Sequence, residues 1–123
     1  MLECPFCSIE PTRLIEKSKL SLAFFDKFPV SIGHALIIPK RHEPNYLNLT
    51  SEEKLDIENL TTSVTNYLKM KYSPDGFNIG INIGKAAGQT ISHCHIHIIP
   101  RYDGDTDDPT GGVRGVLPAK QKY

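Results

Sequence analysis

The chain has 123 residues, a hydrophobic content of 39%, and 14 basic residues set against 14 acidic ones, so its formal net charge is zero. That length suits one domain with a modest core, and the charge balance excludes a chain-wide electrostatic footprint for nucleic acid or an anionic membrane. No segment approaches the ~20 consecutive apolar residues of a membrane span.

The start of the chain lacks the basic and apolar regions of a signal peptide, and a cytoplasmic protein is expected. Its 3 cysteines do not make a disulfide framework. Cys4-Pro-Phe-Cys7 has the spacing used by zinc sites, redox pairs and ordinary packing alike. Residues 8–18 read as a short helix or turn, with Pro11 near its start and Leu14 and Ile15 as its apolar pair. Leu20 to Phe25 alternates as a strand, residues 26–33 form a loop punctuated by Pro29 and Gly33, and His34 to Ile38 is a second apolar strand closed by Pro39. A polar loop, residues 40–44, follows.

Thr50-Ser-Glu-Glu53 is a capping box, in which the Thr50 hydroxyl and the Glu53 carboxylate satisfy each other's free backbone donors. Ile57, Leu60, Val64, Tyr67 and Leu68 then recur at three and four. The pattern predicts an amphipathic helix to Lys71, stopped by Ser73-Pro74-Asp75-Gly76. Residues 77–83 alternate strictly, with Phe77, Ile79, Ile81 and Ile83 on one face and Asn78, Gly80 and Asn82 on the other.

The stretch 92–101, Ser-His-Cys-His-Ile-His-Ile-Ile-Pro-Arg, carries 3 of the 5 histidines. As a strand it puts His93, His95 and His97 on one face at steps of roughly 7 Å, with Cys94, Ile96 and Ile98 turned to the core. If it pairs with the strand before it, the apolar faces must coincide. Gly80 and Asn82 then share the histidine face, and Gly80 leaves open space beside the imidazoles. A neutral imidazole is nucleophilic at pH 7 and can attack phosphorus to form a covalent phosphoramidate. Neighbouring imidazoles and amides can donate to the phosphoryl oxygens. The tail, residues 102–123, is rich in Gly, Asp and Pro. Asp103, Asp105 and Asp107 do not make a calcium loop, because Asp108 stands where the loop needs glycine and Arg114 where it needs glutamate.

The run Gly88-Gln89-Thr90-Ile91-Ser92-His93-Cys94-His95-Ile96-His97-Ile98-Ile99 closely resembles the signature of the histidine triad superfamily, and Phe25-Asp26, Gly33-His34, Leu36 to Lys40 and Asn82 match that family's N-terminal half in order and spacing. The resemblance covers residues 1–101, with 102–123 as a tail of the same domain. It implies an α+β fold, a meander-like antiparallel sheet of about five strands with one long helix and a short N-terminal helix, joined into homodimers. It also implies cleavage at the α-phosphate of nucleotides. His95 is then the nucleophile and His97 and His34 its supports. Asn82, Gln89 and Thr90 hold phosphate oxygens, and Asp26 holds the ribose hydroxyls. Leu22, Phe24 and Ile9 are candidates to sandwich the base.

Members with a structural zinc hold it by positions that correspond here to Cys4, Cys7, His42 and His93. The run into Ile99-Pro100-Arg101 resembles the dinucleoside polyphosphate hydrolases, whereas the phosphoramidase branch has a double glycine there. Phosphoramidate or adenylyl sulfate cleavage at the same His95 stays open, as does a non-catalytic nucleotide- or zinc-binding regulator. Arg114, with Lys85 or Arg101, is expected to contact the polyphosphate.

Overall fold

The computed structural model describes residues 4–123; the reading of the extreme N-terminus, at 1–3, lies outside them. The fold is α+β, as expected. Five strands form one antiparallel sheet: β1 (Leu14–Lys17), β2 (Ser21–Phe25), β3 (Ala35–Pro39), β4 (Gly76–Ile81) and β5 (Ile96–Arg101). Their spatial order is β1-β2-β3-β5-β4. A single long helix, α1 (Ser51–Tyr72), crosses one face. Among the described residues no helix is long and apolar enough to cross a membrane.

The helix starts where its chemistry dictates. Thr50 accepts from the Glu53 N–H at 3.0 Å and Glu53 accepts from the Thr50 N–H at 2.9 Å, which completes the capping box. Ser73, in the left-handed conformation, ends it one residue beyond the expected Lys71. Its inward stripe of Ile57, Leu60, Val64 and Leu68 packs on Ala23, Ala35, Ile37, Ile96 and Ile98, the alternate residues of the central strands.

The opposite face of β2 and β3 is covered by the N-terminal segment, with Phe6 against Phe24, Leu36 and Ile38. Beyond β5, the opposite face of β4 is approached by a short turn of the tail, Gly112–Val116. The sheet is therefore covered on its second face from two ends of the chain.

Three expectations are corrected. The short helix or turn expected over residues 8–18 is only a single 3₁₀ turn, Pro11–Arg13, which leads directly into β1, and β1 pairs with β2 through an irregular register. The strand after the helix ends at Ile81, so Asn82 and Ile83 belong to the loop. The histidine strand starts only at Ile96, which leaves His93 and His95 in an extended lead-in held by the Cys94 N–H on the Glu43 carbonyl at 2.7 Å. The inside–outside alternation survives this change, since Cys94, Ile96 and Ile98 are all buried in the helix-side core.

Candidate active site and metal centre

The pairing of β4 with β5 sets Gly80 opposite His97, so the glycine leaves the space expected beside that imidazole; a Cβ at Gly80 would meet nothing within 4 Å. On the other side β3 brings His34, just before its first residue, to His97. The two rings meet at 3.0 Å between His34 Nε2 and His97 Nδ1.

The protons in this pair can be assigned from their neighbours. His34 Nδ1 accepts from the Val30 N–H at 3.1 Å, so a neutral His34 carries its proton on Nε2 and donates it to His97 Nδ1. His97 is then protonated on Nε2. Burial holds both rings below the ordinary histidine range, His97 down to about 4, where the neighbouring His95 and His34 add to the effect. Asp26 opposes the shift in both, its Oδ2 lying 3.5 Å from His34 Nε2.

His95 is buried, with its ring 5.1 Å from His97 and edge-on to Phe6 at 5.1 Å. Its Nδ1 lies 2.9 Å from the His93 carbonyl. A carbonyl only accepts, so Nδ1 carries the proton and Nε2 keeps a free lone pair. His93 is wired the other way. Its Nε2 donates to the Pro39 carbonyl at 2.8 Å, which leaves the Nδ1 lone pair facing Cys4 Sγ at 3.5 Å and Cys7 Sγ at 3.7 Å.

His42 Nδ1 completes this second group, 3.3 Å from Cys7 Sγ, and the four donor atoms all lie within 4.8 Å of one another. A tetrahedral zinc with Zn–S of ~2.3 Å and Zn–N of ~2.0–2.1 Å has S···N edges of about 3.6 Å, so the observed separations fit that ion. The backbone carbonyl on the far nitrogen of His93 is the usual outer partner of a metal-bound imidazole. Desolvation and then the neighbouring Cys4 thiol push the Cys7 thiol up, as expected for two sulfurs side by side without a cation between them. Cys94 takes no part: it is buried and its thiol is pushed up to about 11, mainly by burial.

The remaining expected residues divide. Asn82 lines the cavity that contains His34 and His97. Asp26 Oδ1 accepts from the Phe28 N–H at 2.9 Å, a local turn bond, which leaves Oδ2 toward His34. Thr90 is exposed on its loop. Gln89 is engaged at both ends of its amide, accepting from the Gly84 N–H at 2.9 Å and donating to the carbonyls of Pro44 at 2.8 Å and Ile91 at 3.0 Å. It ties the 84–91 loop to the segment after His42.

Of the base-binding candidates, Leu22 and Ile9 line a cavity of about 360 Å³ together with Phe6 and Leu14, whereas Phe24 is fully buried. Arg114 folds back on the carbonyls of Gln121 at 3.1 Å and Lys120 at 2.9 Å. Arg101 binds Asp105 and Asn78. Sequence reasoning missed Phe6, which is buried against both His93 and His95; a large aromatic held between the two cysteines was the available signal.

Comparison with known proteins agrees with the fold. The model of the HIT domain matches residues 9–104. An uncharacterised HIT-like protein of Mycoplasma genitalium is 36% identical over 81% of this chain and 74% of its own length. The asymmetrical bis(5'-nucleosyl)-tetraphosphatase of Schizosaccharomyces pombe is 38% identical over 76% of this chain, which spans 52% of that protein. Among solved structures, a zinc-bound histidine triad family protein from Mycobacterium smegmatis superposes with a TM-score of 0.77 at 33% identity, covering 85% of this chain and 79% of that one.

Proposed function

The chain belongs to the HIT-domain family, and from that premise we propose that it is a nucleotide hydrolase or transferase that cleaves dinucleoside polyphosphates at the α-phosphate through a nucleotidyl-histidine. The observation that carries this reading is the wiring of His95, whose Nδ1–H is fixed on the His93 carbonyl so that Nε2 offers its lone pair beside His97. The tetraphosphatase activity named for the fission-yeast relative supports the substrate class.

In the first step His95 Nε2 forms a bond to the α-phosphorus and the bond from phosphorus to the bridging oxygen breaks. That oxygen keeps the electron pair. A polyphosphate leaving group needs no proton near neutral pH, because its terminal phosphate ionises with a pKa of ≈ 6. His97, neutral and protonated on Nε2, donates to a non-bridging oxygen, and Asn82 and Thr90 supply further donors. Asp26 Oδ2 is the acceptor for ribose hydroxyls. Gln89 acts by holding the 84–91 loop in shape. In the second step water attacks phosphorus, the P–N bond breaks with its electron pair returning to Nε2, and the water's proton passes to solvent.

His95→Ala is the test. It is expected to lower turnover of diadenosine tetraphosphate by at least ~10³-fold and to abolish the nucleotide mass adduct on rapidly quenched protein. Nucleotide binding without any His95-dependent turnover sinks the enzymatic reading in favour of a regulator. Phosphoramidate cleavage is the second reading. It is favoured by the engagement of Arg101 and Arg114 in bonds of their own, which leaves the leaving-group side without a guanidinium.

A structural zinc on Cys4, Cys7, His42 and His93 is part of the proposal, supported by the S···N separations above and by the zinc-bound relative. Bound there, the ion would turn both thiols into thiolates and tie the N-terminal segment to the lead-in of β5. Phe6, held between the two cysteines, would then be fixed against the His95 ring.

A further inference from the structure

The loop at 26–33 leads from β2 to His34, and one of its backbone groups sets the direction of the imidazole pair. The Val30 N–H donates to His34 Nδ1, His34 Nε2–H donates to His97 Nδ1, and His97 Nε2–H is left to point outward. With the Val30 N–H withdrawn, either ring can carry its proton on the other nitrogen. His97 then presents a lone pair where a donor is needed. Asp26 Oδ2, at 3.5 Å from His34 Nε2, is too distant to hold the proton there by a hydrogen bond of its own.

The segment that presents this N–H has no apolar anchor. Phe28, Val30 and Ile32 are 79%, 71% and 68% exposed, so burial of its own side chains does not fix it. Contacts from neighbouring elements do. The Ser31 hydroxyl donates to the Pro100 carbonyl at 2.7 Å, and the Ser31 carbonyl accepts from the His34 N–H at 3.2 Å. The Tyr102 hydroxyl donates to the Ile32 carbonyl at 2.8 Å. Burial pushes the Tyr102 phenol up, with Tyr72 and Asp75 adding to the effect, so it stays a donor at neutral pH. Gly33, at φ 90°, closes the loop against the Tyr72 ring, where a Cβ would stand 2.9 Å from the nearest ring carbon. Pro100 lies in β5 and Tyr102 directly follows it. The strand that carries His97 therefore also holds the loop that orients His34.

We propose that Ser31 and Tyr102 are positioning residues for the phosphate-side imidazoles: their hydroxyls hold the Val30 N–H on His34 and so keep both rings protonated on Nε2. Neither hydroxyl has a proton to spare for a phosphoryl group, since each gives its own to a backbone carbonyl. The effect on turnover rests on the nucleotidyl-transfer reading of His95; the effect on the two rings does not.

The experiment reads the ring nitrogens of the full chain by nitrogen-resolved NMR near neutral pH. In the wild type, His34 and His97 should each show a protonated Nε2 and an unprotonated Nδ1. In Ser31→Ala, and separately in Tyr102→Phe, the two nitrogens of each ring are expected to move toward each other as the second tautomer becomes populated. Those of His93 and His95, set by the Pro39 and His93 carbonyls, should stay in place. For diadenosine tetraphosphate, kcat should fall about tenfold with KM little changed. Ser31→Thr, which keeps the hydroxyl, should restore both the ring signals and kcat.

Ring nitrogens that match the wild type in both variants overturn the proposal, whatever happens to activity. So does a shift shared by His93 and His95, which reports general loosening rather than the loss of one bond. A wild-type kcat in a variant whose His34 and His97 signals have moved overturns it as well. If no His95-dependent turnover exists, the nucleotidyl-transfer reading fails on its own, and the ring nitrogens alone decide this proposal.

Discussion

His93 and His95 stand two residues apart on one stretch of backbone, both buried, and they are wired in opposite senses. His93 gives its Nε2 proton to the Pro39 carbonyl and turns Nδ1 to two sulfurs; His95 gives its Nδ1 proton to the His93 carbonyl and frees Nε2. On the proposed reading, one end of the lead-in to β5 is a ligand set and the other a nucleophile. The difference arises from which backbone carbonyl lies within reach of each ring. A carbonyl fixes the tautomer, and the tautomer decides which nitrogen is available for chemistry. Phe6 touches both ends, edge-on to His93 and to His95.

Breaking the metal end is expected to have the largest effect. Removing the proposed zinc with a chelator, or substituting Cys4→Ser, should cost about 2–4 kcal/mol and on the order of 10 °C in Tm. The loss is smaller than for a zinc finger because the helix-side core does not depend on the N-terminal segment. Activity should fall with it, since Phe6 no longer holds the His95 ring. His95→Ala, by contrast, should leave both zinc stoichiometry and Tm close to the wild type. Equal thermal losses in the two variants would show that the ends are not divided in this way. Thermal melts with parallel metal analysis make the comparison.

The phosphate end is sharpened by pH. His34 and His97 both titrate below the ordinary histidine value, His97 at about 4. The sign follows from linkage: above ~6.5 both folded and unfolded states are neutral and the fold keeps its full stability. As pH falls from there toward 4 the unfolded chain takes up protons that the buried rings refuse, so stability is lost across that window. The His34–His97 bond should also fail as His97 charges, because Nδ1 then carries a proton and can no longer accept. The His34–His97 bond should therefore persist from pH 8 into the acid range and fail only on approach to the His97 value. NMR titration of the two rings checks this, and a midpoint near ~6.5 for either would place that ring in an ordinary, solvated environment.

Much of this was legible in the sequence where the determinant is local. The capping box at Thr50 and Glu53 forms as written, because both partners lie within one turn. The alternation of residues 93–98 gave the correct inward set, although pairing begins only at Ile96. What bends the lead-in out of the ladder is a bond from Cys94 to Glu43, a partner 51 residues away. β1 was missed because Pro11 announces a turn and the strand behind it has no buried residue to mark a face. Gln89 and Arg114 were expected to face phosphate; each has its donors drawn off by backbone carbonyls, those of Pro44 and Ile91 for Gln89 and those of Lys120 and Gln121 for Arg114. Pairing of the Cys4 and Cys7 thiols with His42 and His93 came from the family resemblance, since spacing alone leaves a lone cysteine pair ambiguous.

Cys94 gives the smallest expected effect and the cleanest control on the proposed division between the two ends. It sits between His93 and His95 in sequence, yet its side chain enters the core beneath the helix. Cys94→Ala removes one buried sulfur and should cost about 1 kcal/mol, the scale of a small core deletion. Zinc stoichiometry and kcat should not move, because the bond that shapes the lead-in is made by the Cys94 backbone N–H, which alanine retains. A serine at the same place should cost more than alanine, since its hydroxyl would be buried against apolar neighbours. If Cys94→Ala instead halved the bound zinc, the third thiol would belong to the metal end, and the opposite wiring of His93 and His95 would no longer account for how this stretch divides its work.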